Sequence, residues 1–124
     1  MNFDRTGIIL YAINYKECVA FYKNILELKV HFNTDMLTCF KFGNSYLMVE
    51  VDDENPNEPN STRIRNCLRM NVPNVKVLAD KLIAKNINVN YQEHSWGTIA
   101  KFFDPDGNLC AFKDSVTFDA QIAK

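Results

Sequence analysis

The chain predicts an α+β fold of two tandem βαβββ modules, and three observations carry that prediction. Short apolar runs of strand length recur along the chain. Two stretches instead space their apolar residues for a helix, and each follows a strand and an asparagine. The order strand, capped helix, three strands is thus written twice, with Asn14 answering Asn74 and Lys23-Asn24-Ile25 answering Lys85-Asn86-Ile87. One such module has a half-open sheet; two together can curve their strands around a shared cleft, where ligand sites tend to lie.

Module one spans residues 6–52. Its first strand, 6–12, is an apolar run ended by Asn14, a good N-cap, and Glu17 three residues on completes a capping box. Behind the cap, Tyr15, Cys18, Val19, Tyr22, Ile25 and Leu26 form one apolar helical face. Strands are expected at 29–33, 36–42 and 45–51, the last two joined by a two-residue turn at Gly43-Asn44. Asp52 to Thr62 is polar, acidic and carries two prolines, which sets an exposed connector over 53–63. Module two spans 64–114. It reads as a strand at 64–72, then Asn74 capping a helix whose face is Val75, Leu78, Ala79, Leu82 and Ile83, then strands at 88–93, 98–103 and 109–113. Between the last two, Asp104-Pro105-Asp106-Gly107-Asn108 is a hairpin turn: Pro105 pre-sets φ and Gly107 supplies a positive φ. The tail, 115–124, is weakly patterned and carries no assignment.

Composition removes several function classes. At 124 residues the chain is one domain with room for a real core, and nine Phe, five Tyr and one Trp argue against general disorder. A net charge of −1 with scattered basic residues lacks the footprint of a nucleic-acid binder. Without an apolar stretch of membrane-spanning length or a leader pattern, a cytoplasmic protein with no membrane partner is expected. Cys18, Cys39, Cys67 and Cys110 are dispersed, which suits reduced core thiols rather than a disulfide framework or zinc site. The four glycines are too scattered for a phosphate loop or dinucleotide fingerprint, and no Gly-x-Ser-x-Gly elbow occurs.

The paired modules, Ala20-Phe21-Tyr22 followed by Ile25-Leu26-Glu27-Leu28, and the Asp104 to Asn108 turn together resemble the glyoxalase/bleomycin-resistance/dioxygenase (vicinal oxygen chelate) superfamily, over residues 6 to about 114. The resemblance implies a mixed sheet rolled into an open cup, usually in a homodimer. It also implies a divalent metal held by His and Glu on four strands, at positions that fall here on Gly7, Glu50, Cys67 and Ala111. Of these only Glu50 keeps a typical ligand. Gly7 and Ala111 have no donor side chain, Cys67 offers a thiol where His is usual, and His31 and His94 fall elsewhere. A catalytic metal normally needs about three protein ligands, so the usual site is expected to be absent, with no cofactor. Metal-dependent isomerisation, extradiol cleavage and thiol transfer go with it. Binding without transformation, as in the bleomycin-resistance proteins, remains.

Strand alternation places Tyr11, Met48, Glu50, Cys67 and Arg69 on the cup face. Glu50 and Arg69 either satisfy each other as a structural ion pair or recognise a ligand, Arg69 an anionic group or Glu50 a cationic one; both readings meet the desolvation cost. Cys67 is either a reactive thiol tuned by Arg69 or a small hydrophobe. Trp96, before Gly97, suits an aromatic wall at the cup mouth, and equally a core filler. The leading expectation is a small-molecule binding protein, its aromatic or amphipathic ligand held by Tyr11, Met48, Trp96 and Phe102, with resistance by sequestration as its physiological form. The alternative is a divergent metal-dependent lyase or dioxygenase using Glu50, Cys67 and a third ligand. A third reading is a scaffold whose cup is filled by its own side chains.

Overall fold

The computed structural model describes residues 1–52 and 63–124; the connector expected over 53–63 lies, but for Arg63, outside the described residues. Through β8 the elements follow the expected order, and α3 is added to them: β1 (Arg5–Ala12), α1 (Tyr15–Ala20), β2 (Val30–Asn33), β3 (Leu37–Phe42), β4 (Ser45–Val51), β5 (Asn66–Val72), α2 (Val75–Ala84), β6 (Asn90–His94), β7 (Gly97–Phe103), β8 (Leu109–Asp114) and α3 (Ser115–Ala123). All eight strands join one mixed sheet in the order β2-β3-β4-β1-β5-β8-β7-β6. Within each module the first and last strands run parallel, β1 with β4 and β5 with β8. The modules meet where β1 pairs antiparallel with β5.

The two amphipathic helices lie on one face of this sheet. Tyr15, Cys18, Val19 and Tyr22 pack on Ala12, Phe40 and Val49, while Leu78, Ala79 and Leu82 belong to a cluster with Val72, Ala100 and Phe112. Asn74 caps α2 as expected, its Oδ1 accepting from the Val77 N–H at 3.2 Å. Asn14 does not: it precedes α1 but accepts no side-chain cap bond. The first helix also departs from a pure 3.6 period, because α1 runs into a π-helical turn at Phe21–Ile25. The wider turn rotates the end of the helix, and Ile25 and Leu26, expected on the apolar face, are exposed. The β7–β8 turn is as expected: Gly107 adopts φ +85°, and the Asp104 carboxylate accepts from the Asp106 and Asn108 N–H groups at 2.9 Å.

The tail forms a helix that the sequence left unassigned. Asp114 caps α3, accepting from the Thr117 N–H at 2.9 Å, and also takes the Thr98 N–H at 2.8 Å, so the helix start is tied to β7. α3 lies on the face opposite α1 and α2, where fully buried Phe118 joins Ile9, Tyr46, Met48, Cys67 and Ala111. It packs against β2, β5 and β8. β2 and β8 are five strand spacings apart, roughly 24 Å in a flat sheet, more than twice the width of a helix. The sheet therefore curls, and α3 occupies the concave side.

Candidate functional site

Pairing across the four central strands sorts the concave face into rows. Tyr46 on β4, Gly7 on β1, Arg69 on β5 and Ala111 on β8 make one row. Met48, Ile9, Cys67 and Leu109 make the next, and Glu50 with Tyr11 a third. Five expected site residues, Tyr11, Met48, Glu50, Cys67 and Arg69, thus share this face. Trp96 does not join them. It sits in the β6–β7 turn at the far end of the sheet, half exposed, stacked on His94 at 4.4 Å, with the Lys113 Nζ 5.7 Å from its ring. Phe102 lies on the other face, against Phe112 in the cluster beneath α2. The reason is alternation: Lys101 pairs with inward Ala111, so its neighbour Phe102 must point outward.

The same rows set a different β4 residue level with the other three expected positions. Gly7 and Cys67 are equivalent in the two modules, each seven residues before its asparagine, Asn14 or Asn74. Gly7 pairs with Tyr46 and Cys67 with Leu109, so the β4 counterpart of Ala111 is Met48, two residues beyond Tyr46. Glu50 lies one row further out, opposite Tyr11. Sequence alone does not show this, because aligning the modules by their motifs leaves the strand register open. A quartet of Gly7, Met48, Cys67 and Ala111 does not fit a divalent metal: two positions have no donor, and the thioether of buried Met48 is a soft, weak one. Burial pushes the Cys67 thiol up, which outweighs the opposing pull of Arg69. No group of three or more His, Cys, Asp or Glu among the described residues could hold a metal ion.

Gly7 is instead the seat of an aromatic ring. A β-carbon there would fall 2.5 Å from Cδ2 and 2.6 Å from Cζ of Tyr46. The ring is fully buried, with the Phe118 ring 4.4 Å away on α3, and Phe118 in turn meets Phe32 edge-on at 5.8 Å. The Tyr46 hydroxyl donates to Asn71 Oδ1 at 2.6 Å. Burial pushes the Tyr46 phenol up, and the guanidinium of Arg69 beside it pulls partly back. The Tyr11 phenol is raised too, by burial first and then by Cys67 and Glu50.

Glu50 and Arg69 stand two rows apart, about 13 Å along the strands, and the ion pairs formed among the described residues are others: Arg5–Asp119, Arg63–Asp52, Lys76–Asp80 and Lys113–Asp114. Two donors next to Tyr46, the Nε–H of Arg69 and the Nδ2–H of Asn71, are buried without an acceptor. Lys113, also on this face, is buried and donates to Asp114 at 3.0 Å and to Thr117 Oγ1 at 2.5 Å. Burial lowers its pKa and Asp114 opposes the shift. A groove of about 570 Å³ is lined by Phe3, Leu68, Phe102 and Phe112 of the opposite face and also by Gly7, Tyr46 and Arg69 of the first concave row.

Two βαβββ modules joined through their first strands, with helices outside and a curled concave face, define a paired-module cup protein. The chain belongs to the Glyoxalase/Bleomycin resistance protein/Dioxygenase superfamily, whose family model matches residues 3–112. Among solved structures it is similar to the NAD-dependent benzaldehyde dehydrogenase from Legionella pneumophila (TM-score 0.73, 18% identity, covering 88% of this chain and 97% of that one). It is similar also to a glyoxalase/bleomycin resistance protein/dioxygenase superfamily member from Vibrio splendidus 12B01 (TM-score 0.68, 18% identity, 90% and 98% covered). At these identities the likeness shows the fold alone. No curated protein matches the sequence. The match ends before α3, and no helix among the described residues is long and apolar enough to cross a membrane.

Proposed function

We propose that this protein binds a small aromatic or amphipathic molecule in its cup and does not transform it with a bound metal. One observation supports this above the others: the quartet that the strand registers bring into equivalence, Gly7, Met48, Cys67 and Ala111, offers aromatic and apolar packing where metal donors would stand. Sequestration of a toxic compound by a cytoplasmic homodimer is the physiological form this reading takes. α3 places a constraint on it, because Phe118 already fills the centre of the concave face. A ligand therefore either enters beside α3, where Tyr11, Glu50 and Arg69 remain partly exposed, or displaces the helix.

The test has two arms. Elemental analysis of untagged, unchelated protein should find no stoichiometric metal, and added Zn, Ni, Mn or Fe should not raise its melting temperature. A panel of aromatic and amphipathic compounds should contain members that do raise it, and Phe118→Ala should strengthen their effect. Phe102→Ala is the control for the groove on the other face: a ligand lost in that variant and kept in Phe118→Ala sits outside the cup. About one metal per chain, lost on substituting Cys67, would refute the reading and restore a metal-dependent lyase or dioxygenase.

A further inference from the structure

We infer that the cup's ligand is an acid, a small aromatic carboxylate whose oxygens take the N–H groups of Arg69 Nε and Asn71 Nδ2. The inference rests on the cup being a ligand site and names the chemistry of what it holds. Both donors are buried without an acceptor in good geometry, and the side-chain contact of the Arg69 guanidinium is the Tyr46 hydroxyl. Buried donors are nearly always paired, and an unpaired one costs folding free energy, so two such groups together point to something the protein itself does not supply. They stand two residues apart on one strand, β5, and on one face of it, roughly 7 Å between their α-carbons. Asn71 is fully buried, and its Oδ1 is taken by the Tyr46 hydroxyl at 2.6 Å, which leaves its amide N–H groups as what it can still offer.

Charge selects an anion over a neutral acceptor. Lys101 lies in the same row as Arg69, with Ala111 between them, and Lys113 lies in the next row beside Asn71. Of the negative groups on or against this face, Asp114 is engaged by Lys113, by the N–H groups of Thr98 and Thr117 and by the Thr117 hydroxyl, Asp119 of α3 pairs with Arg5, Asp4 accepts from Ser115, and Glu50 lies two rows from Arg69. Among the described residues Arg69 makes no ion pair. A guanidinium edge and an amide side by side match the two oxygens of a carboxylate, and the Tyr46 ring next to them matches an aromatic body. Arg69 as a whole is only partly buried, which leaves a route to it from solvent.

The probes are benzoate and its neutral isostere benzamide, with inorganic phosphate at equal ionic strength as the control for a general salt effect. On the full chain, benzoate should raise the melting temperature and bind by calorimetry, and benzamide and phosphate should not. Arg69→Gln should weaken benzoate by about ten- to a hundredfold, the usual worth of a hydrogen bond to a charged group. Asn71→Asp, which supplies Arg69 with an internal carboxylate, should compete with benzoate and serves where Arg69→Gln fails to fold. In the wild-type protein, one of the four arginine Nε–H resonances should move with benzoate alone. Equal binding of benzamide and benzoate would overturn the inference and leave the small-molecule reading standing. Benzoate affinity unchanged in both variants would place the site elsewhere. Silence of both probes, when neutral aromatics in the wider panel do bind, would show that an ordered water satisfies the two donors.

Discussion

Replacing Gly7 by alanine tests the packing at the centre of the cup. The added carbon would stand 2.5–2.6 Å from two Tyr46 ring atoms, where carbon–carbon contact prefers about 3.5–4.0 Å, an overlap of about 1 Å. Neither side can retreat easily. Gly7 is held between β4 and β5, and the Tyr46 ring is fully buried, backed by Phe118 and tied to Asn71. Overpacking of this kind costs about 1–3 kcal/mol, and losing the hydroxyl bond adds about 1 kcal/mol. Against this, alanine restricts the unfolded chain, a gain of up to about 1 kcal/mol. Gly7 is not among the glycines at positive φ, so no backbone strain enters. The net expectation is a loss of about 2–3 kcal/mol, or about 5–10 °C in melting temperature for a domain of this size. Urea unfolding of Gly7→Ala, Tyr46→Leu and the double variant measures it, and the second alanine cost should shrink once the ring is gone. A Gly7→Ala protein within about 0.5 kcal/mol of wild type, or strict additivity in the cycle, would refute the reasoning.

Gly97→Ala should destabilise through a different cause: at φ +140° its β-carbon would meet Lys113 Nζ, Thr117 Oγ1 and Asp114 Oδ1, so the start of α3 should lose hydrogen-exchange protection along with overall stability. Burial pushes the Asp114 carboxyl up, but the N–H groups of Thr117 and Thr98, the Thr117 hydroxyl and Lys113 outweigh it and hold the group at about 2. Its contribution is therefore complete above its ordinary value of about 3.9 and lost as pH falls toward 2, about 2 kcal/mol in all; in Asp114→Asn that acid-limb slope should vanish from pH-dependent unfolding. Among the cysteines, part-exposed Cys18 should be alkylated first in native protein, and Cys39, Cys67 and Cys110 only on unfolding. Burial pushes the last three up, Cys39 to about 12, so intact-mass analysis showing early labelling of Cys67 would contradict the core packing.

The strands and turns were legible in the sequence because each depends on local chemistry. Strand runs alternate or stay apolar, Gly43-Asn44 makes its two-residue turn with Phe42 opposite Ser45, and Asp104 to Asn108 closes its hairpin. The features that failed to show depend on residues distant in the chain. The β1–β4 register decides whether Met48 or Glu50 belongs to the quartet, and nothing within β4 announces it. The use of Gly7 as a seat for Tyr46 joins residues 39 apart. α3 offered only an apolar pair at Phe118 and Ile122 behind Asp114, too few to separate a helix from a loop, and its stability comes from the concave face beneath it. Asn14 failed in the opposite direction: residue type and spacing matched a cap, but its φ of −90° and ψ of 65° leave its side chain without the bond.

The Tyr46 ring on Gly7 also bears on what substitution could turn this protein into. Installing a three-donor centre means placing side chains at two or three of Gly7, Met48 and Ala111, all of them fully or almost fully enclosed. A donor at Gly7 collides with Tyr46 until that ring is removed, and removing the ring first strands the Asn71 carboxamide and opens space beside Phe118. A carboxylate at Met48 or Ala111 before its partners arrive is a lone buried charge. Every single step therefore leads downhill in stability before any metal could repay it. On the small-molecule reading proposed above, function changes along the ligand's chemistry, one contact at a time, far more readily than across the gap to metal-dependent catalysis.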